Sequence, residues 1–327
     1  MGRVLAVEAI KLSKEFQKYR KKPGVKGSVR SLLSRERHSV HAIKSLSLNI
    51  DEGEVVGLIG ENGAGKSTFL KMLSGILKPT SGSAKVLGYS PWERKRAYLK
   101  QISFVMGNRG QLWWDLPVVD SFELQKEIYQ IGADQYKENY DQLVDMLNIS
   151  EYLDSPVRKL SLGQRMRCEL ALALLHSPKL IFLDEPTLGL DLIVQKKLRD
   201  FLLDYNKKTR ATIIMSSHYM DDVKEMCRRV ILLSSGEKLY DGSISELARK
   251  YAEYKTVTIS LGKSSNKSGL EKYGEVENLS RNLIAVKVPR KDVPQVAARI
   301  LKEFDVEDLD IREPELDDIV RTIYEER

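Results

Sequence analysis

Cysteine is scarce: Cys168 and Cys227 are the only two in 327 residues. Two thiols so placed give no disulfide framework and no metal-ligand pair spacing. A reducing compartment is their simplest home, and both are expected to be small buried side chains. Long apolar runs are missing too. The longest, from Leu170 to Leu175, ends at His176, far short of the ~18–20 residues that cross a bilayer. The start, MGRVLAVEAIKLSKEF, meets charge before any apolar core develops, so it is expected to be a strand and not a signal peptide. MGRVLA also lacks the Ser or Thr of a myristoylation signal. No internal repeat is found. What the chain does have is 42% hydrophobic and 30% charged residues, enough for one large or two ordinary globular domains. A net charge of +7 points to nucleic acid or an anionic membrane surface, depending on where the charge lies.

One stretch organises the rest. The apolar run Val55-Val56-Gly57-Leu58-Ile59 leads into GENGAGKST, Gly60 to Thr68, and Phe69, Leu70, Met72 and Leu73 lead out at helical spacing. That is a buried strand, a glycine-rich turn and a helix start, the pattern of a phosphate-binding P-loop. Gly60, Gly63 and Gly65 let the backbone curl so that its N–H groups face a phosphate chain, with Asn62, Ala64 and Thr68 completing the cradle. The helix opening near Lys66 adds its positive dipole end. Lys66 is expected to reach the β- and γ-phosphates of a nucleoside triphosphate, and the Ser67 hydroxyl to ligate Mg²⁺. A second landmark is Leu180-Ile181-Phe182-Leu183-Asp184-Glu185-Pro186. Four apolar residues make a strand buried on both faces, ending in two carboxylates where open α/β sheets bind ligands. Asp184 is expected to hold Mg²⁺, and Glu185 to polarise the water that attacks the γ-phosphate.

The fold class expected is α/β: a P-loop NTPase with a mainly parallel sheet, a helical subdomain insert and a small C-terminal α+β domain. Strands are expected at 3–12, 41–50, 101–107, 180–183, 211–217 and 229–235, helices near 118–131, 135–148 and 163–175, and a long helix from Ile193 to about Lys207. The P-loop domain is bounded at 1–245, with a helical subdomain at about 115–175 and an accessory α+β domain at 246–327. That accessory domain carries no chemical motif, and a passive cap or a dimer or regulatory contact fits it equally. Between the first two strands lies a basic insert, bounded at 17–40. It carries Lys18, Arg20, Lys21, Lys22, Lys26, Arg30, Arg35 and Arg37 against a single acid, Glu36. Val29, Leu32 and Leu33 can form one face of a short helix there. A solvated loop is the plain alternative; a basic segment 18–37 at lipid headgroups or a membrane partner is the functional one. Few stacking aromatics accompany it, so nucleic acid is not the expected partner.

The third landmark, Leu160-Ser161-Leu162-Gly163-Gln164, precedes a helical apolar run. Here the chain resembles the ATP-binding cassette (ABC) ATPases, whose LSGGQ signature LSLGQ matches with Leu162 in place of one glycine. The resemblance covers about residues 4–245. It implies a head-to-tail dimer of two copies with two ATPs between them, where Ser161, Gly163 and Gln164 close over the ATP of the partner. It implies that TLGLD is the loop whose Asp191 reaches across the dimer, and that His218 contacts the γ-phosphate. Phe16 sits where the family stacks an aromatic on adenine, with Tyr19 as the competing candidate. The family's glutamine after the strand at 101–106 is replaced by Asn108, a possible Mg²⁺ or water contact one methylene shorter, or its role passes to Gln111. The basic insert and QLWWDLP resemble the exporter branch that handles polysaccharides, drugs or lipids. Trp113 and Trp114 are then expected in the groove that receives a helix of a separate transmembrane permease subunit, unless both are core aromatics. The function implied is ATP hydrolysis for export, on the cytoplasmic face of the cell membrane. The alternative is a soluble ABC ATPase acting on ribosomes or nucleic acid. Only one P-loop is present, and the interval from Lys66 to Ser161 is too short for an inserted coiled coil, which weighs against that alternative.

Overall fold

The computed structural model describes residues 4–19, 37–107, 110–251, 254–262, 269–280, 282–314 and 316–325. The first two strands are both longer than the hydrophobic pattern predicts. β1 runs Leu5–Tyr19, β2 runs Arg37–Asp51, and they pair antiparallel until Tyr19 lies opposite Arg37. The segment bounded at 17–40 therefore starts and ends in strand, with Gln17 opposite Ser39. Pairing of this kind uses backbone N–H and C=O groups, which polar residues supply as well as apolar ones, so the ladder outlasts the apolar pattern. The expected basic helix at Val29, Leu32 and Leu33 lies outside the described residues. β4 (Ser81–Val86) pairs antiparallel with β1 on its other side, completing a sheet of order β2-β1-β4.

A second sheet contains β3 (Val55–Gly60), β5 (Ile102–Met106), β6 (Leu180–Asp184), β7 (Thr212–Ser216), β8 (Arg229–Ser234) and β9 (Glu237–Ser243). Its order is β5-β6-β7-β3-β8-β9, and the β5–β6, β6–β7, β7–β3 and β3–β8 pairs are parallel. Every residue of β7 is buried, as are the first four of β6, which is why 180–183 and 213–215 are continuous apolar runs. Between the two sheets sits α1 (Lys66–Leu73), whose Phe69, Leu70, Met72 and Leu73 join one core with Val7, Ile43, Leu58 and Phe182. Each such burial contributes about 1.5–3 kcal/mol before entropy is counted. A short α2 (Arg96–Leu99) precedes β5.

The stretch between β5 and β6 is helical: α3 (Val118–Tyr129), α4 (Ala133–Leu147) and α5 (Leu162–Leu174), with α3 and α4 packed on α5. α3 and α4 stop at Gln130 and Asn148, both left-handed at φ 54°. After β6 comes α6 (Leu192–Thr209), and α7 (Met220–Met226) joins β7 to β8.

Two compact units divide at Asp241 and Gly242. The second begins with α8 (Ile244–Tyr251) and then follows β10 (Tyr254–Leu261), β11 (Glu275–Asn278), β12 (Leu283–Pro289), α9 (Val293–Glu303), β13 (Val306–Arg312) and α10 (Leu316–Glu325). Its sheet has order β11-β12-β10-β13, all antiparallel. With α9 between β12 and β13, that is the strand order of a ferredoxin-like fold in which a single helical turn, Leu270–Lys272, stands between β10 and β11. Val257, Ile259, Ile284, Val286 and Val288 face α9 and make a separate core with its Val293, Val296 and Ile300. Among the described residues no helix is long and apolar enough to cross a membrane.

Candidate nucleotide site

The second sheet brings the ends of β3, β6 and β7 together at one edge. Asp184 ends β6 and is the register partner of Ser216 on β7 and of Met106 on β5, while Leu58 on β3 also faces Ser216. That register explains the polar cluster directly. The Asp184 Oδ1 accepts hydrogen bonds from Ser67 Oγ (2.8 Å) and from Ser216 Oγ (2.7 Å). Lys66 Nζ donates to the carbonyls of Gly60 (2.7 Å) and Glu61 (3.1 Å), folding its side chain back over the turn. Lys66 is only 5% exposed. Burial lowers its pKa, opposed by the nearby charges of Glu185 and Asp184. An ammonium desolvated this far is poised to gain from a phosphate.

The turn itself is built to approach a ligand. Gly63 and Gly65 have φ of +88° and +109°, and a Cβ on Gly65 would lie 2.4 Å from the Ala42 carbonyl oxygen. No side chain caps α1 and no acid stands in its first turn, so its leading N–H groups lack a side-chain acceptor. This arrangement fits a phosphate chain. Asn62 is exposed, Ala64 is buried and Thr68 half-buried within the same turn. Ser67 and Asp184 present a hydroxyl and a carboxylate in contact, an all-oxygen pair that suits Mg²⁺, a cation that takes one or two protein ligands beside phosphate and water.

Glu185 follows at φ +53°, a left-handed backbone that costs a non-glycine residue about 1–3 kcal/mol. Its N–H bonds to the Ser216 carbonyl (3.1 Å) and Oγ (3.2 Å), which hold it there. His218 Nδ1 lies 3.4 Å from Glu185 Oε1, and its ring leans on Tyr219. From the other side comes Gly107: its N–H donates to the Asp184 carbonyl, and a Cβ on it would be 2.3 Å from the Glu185 carbonyl oxygen. Asn108 lies outside the described residues. Gln111 gives its side-chain amide to the Phe104 carbonyl (2.9 Å), so the alternative candidate is bonded back onto β5.

The signature residues form a different kind of structure. Ser161 is the N-cap of α5: its Oγ accepts from Gln164 N–H (3.3 Å) while Gln164 Oε1 accepts from Ser161 N–H (2.8 Å). This is a capping box, worth about 1 kcal/mol to the helix. Gly163 abuts α6, where a Cβ would meet Val194 Cγ1 at 3.3 Å. Asp191 likewise caps α6, accepting from Val194 N–H (3.0 Å). Among the described residues no hydrogen bond or ion pair joins Ser161, Gly163 or Gln164 to the P-loop cluster. Phe16 is 37% exposed, with Lys14 Nζ 5.3 Å from its ring centre. β1 carries Tyr19 three residues further along the same strand.

A family model described as ABC transporter matches residues 43–188, and one described as EvrA-like ABC transporter, C-terminal domain, matches 253–312. The ABC transporter ATP-binding protein NatA of Bacillus subtilis (strain 168) is 33% identical over 208 residues, 64% of this chain and 84% of NatA. This chain belongs to the ABC transporter family. The methionine import ATP-binding protein MetN of Geobacillus kaustophilus (strain HTA426) is also 33% identical, over 214 residues, 64% of this chain and 63% of MetN. Among solved structures, the dimeric post-hydrolysis ATP-binding cassette MJ0796 bound to ADP and Pi superposes with a TM-score of 0.60 at 24% identity, covering 73% of this chain and 98% of that one. The fold is that of a P-loop ABC ATPase, and the chain is an ATPase that binds and hydrolyses ATP.

Within the cassette, three buried groups escape motif reading. Asp222 on α7 accepts from Arg199 Nη1 on α6 (2.6 Å) and from the Thr187 hydroxyl, and Ser217 Oγ stands 3.5 Å away. Thr187 follows Glu185 by two residues and Ser217 precedes His218, so this buried ion pair ties the two loops together. Arg199 also reaches Glu225 at 2.7 Å. The third group, Glu169 on α5, accepts from the N–H groups of Gln111 (2.8 Å) and Leu112 (3.2 Å), fastening the loop after β5 to the signature helix. Burial raises its pKa and those two bonds oppose the rise. The one available signal was a lone carboxylate inside the apolar run of α5. Trp113 and Trp114 are 56% and 55% exposed, which excludes the core alternative for both. Arg165 of α5 stands over the Trp114 ring at 5.6 Å.

Proposed function

We propose that the chain is the ATP-hydrolysing subunit of an ABC exporter, working as a head-to-tail pair of copies beneath separate membrane-spanning subunits. The observation that carries this reading is the division of the cassette into an assembled P-loop cluster and a signature turn that, among the described residues, has no bond to it. Lys66 and the N–H groups of the P-loop and α1 hold the β- and γ-phosphates. Ser67 and Asp184 hold Mg²⁺, which when bound neutralises charge on the phosphates. Glu185 accepts a proton from the attacking water, and His218, 3.4 Å from that carboxylate, contacts the γ-phosphate and keeps Glu185 aimed. Ser161, Gly163 and Gln164 complete the site of the other copy, with Asp191 crossing beside them, and Phe16 lies on the adenine. Binding closes the pair and hydrolysis reopens it, a two-state motion that a membrane subunit harvests.

Trp113, Trp114 and the 43% exposed Leu116 offer an apolar surface on the helical segment for a helix of that membrane subunit. The charge of the basic segment 18–37 suits anionic lipid, which supports a site of action on the cytoplasmic face of the membrane. Export, as against the import named for MetN, rests on that insert and on the tryptophans. The test is a pull-down of tagged chain from gently solubilised native membranes, read by mass spectrometry. A multi-spanning protein in stoichiometric amount is the expected result. Ribosomal proteins or nucleic acid without a membrane partner would overturn the transporter reading and leave the ATPase standing.

A further inference from the structure

The face of the ferredoxin-like sheet turned away from α9 carries a groove that the ATPase reading does not use. Strand alternation puts Tyr254, Glu275, Lys287 and Pro289 on this face, because Val257, Val286 and Val288 take the other. Tyr254 and Pro289 are register partners on β10 and β12, and Lys287 faces Glu275 across β12 and β11. The groove encloses about 970 Å³, within the range of small-molecule sites. Most of the residues that line it carry charge. Arg249 and Lys250 come from α8, and Arg290 and Lys291 from the turn into α9, so with Lys287 five cations face Glu275 and Asp292 in the lining and Glu313 and Asp318 beside it.

The pairing pattern separates structural from available charge. Glu275 holds Lys287 at 3.1 Å, and Glu313 holds both Arg290 and Lys255. Among the described residues, neither Arg249 nor Lys291 has a carboxylate within 4.0 Å. Like charges gathered in one concave surface repel each other unless an anion enters, and the walls focus their field on it. Guanidinium and ammonium groups from α8 and from the turn into α9 match phosphate oxygens, and Pro289 and Tyr254, whose ring centre lies 5.6 Å from Lys287 Nζ, line the rest of the groove.

We propose that this groove binds a phosphate-bearing small molecule, with Arg249 and Lys291 gripping phosphate and Tyr254 and Pro289 lining the site of its body. A free phosphate compound and a lipid headgroup share this chemistry. Hydrogen–deuterium exchange of the full chain distinguishes them, using inorganic pyrophosphate as one probe and vesicles of phosphatidylcholine with or without phosphatidylglycerol as the other. Slower exchange over 244–251 and 284–292 with pyrophosphate is expected for a free ligand; slowing only with phosphatidylglycerol vesicles assigns a headgroup. In either case the double variant Arg249→Glu, Lys291→Glu weakens the effect at least about tenfold, as loss of charge-assisted bonds requires. Arg249→Lys with Lys291→Arg preserves it. Both side chains are exposed and unpaired, so exchange elsewhere stays unchanged, and pyrophosphate still slows the P-loop peptide in the variant. No slowing with either probe, equal slowing with chloride at matched ionic strength, or full slowing in the charge-reversed variant would overturn the proposal.

Discussion

The P-loop corner and the signature corner belong to one enzyme but are finished to different degrees. At the first, Lys66, Ser67, Asp184 and Ser216 are bonded to one another or to the surrounding turn, and α1 is left without a side-chain cap. At the second, Ser161 and Gln164 satisfy each other, so the helix end is complete without a ligand. A turn that is satisfied alone folds stably in a single copy. Its Ser161 hydroxyl can still turn to a phosphate, because the capping bond that it accepts is long at 3.3 Å. The contrast teaches that one corner is committed chemistry, whereas the other is ordinary helix capping that a second copy can recruit.

Substitutions at four positions sharpen or break this contrast, in falling order of effect. Glu185→Gln removes the proposed base but keeps the shape, so turnover should fall by about 10²–10⁴-fold while ATP binding persists and a paired form accumulates on size-exclusion. Unchanged hydrolysis would remove Glu185 from the chemistry. Asp222→Ala leaves Arg199, only 8% exposed, without its inner partner, and should cost about 3–5 kcal/mol in urea denaturation. If the loops of Thr187 and His218 are coupled through it, Asp222→Asn, which keeps the side chain's size, should lower kcat more than it raises KM. Ser161→Asp retains a competent N-cap, so stability should stay within about 0.5 kcal/mol of the parent. Turnover should nevertheless drop about tenfold or more, since a carboxylate would meet phosphate; equal activity would mean that the corner is a cap and nothing else.

The smallest effect concerns His176. Its Nε2–H donates to the Ile102 carbonyl (2.9 Å), its ring stacks on Tyr129, and Nδ1 is buried without a partner. Burial lowers its pKa to about 4, from an ordinary 6.5. The unfolded chain therefore takes up a proton first as pH falls. The stability tied to the neutral ring is full above pH 6.5 and is lost progressively down to about 4. His176→Gln should flatten the acid limb of a melting-temperature profile in that window, and an unaltered slope would rule the ring out as its source.

Much of this was legible because strong local patterns coincide with the chemistry. Four apolar residues before Asp184 mark a strand buried on both faces, and glycines before Lys66 mark a backbone that only they can follow. The rest failed for stated physical reasons. The ends of β1 and β2 pair through backbone groups, which leave no trace in side-chain pattern. Asp222 and Arg199 are 23 residues apart and become meaningful only once α6 and α7 pack. Glu169 finds its partners in backbone N–H groups 57 and 58 residues away, to which no residue type points. β11, Glu-Val-Glu-Asn, has too little apolar content to stand out, and its strand is defined by β12 beside it.

The left-handed backbone at Glu185 has a bearing on how this protein would respond to selection. Glycine or asparagine would relax that position, so a search for heat-resistant variants that ignored turnover should discard the glutamate early. The hardiest survivors would then be good binders of nucleotide that had stopped consuming it. Any laboratory evolution of this cassette must therefore reward hydrolysis itself, or it will drift toward a durable and silent protein.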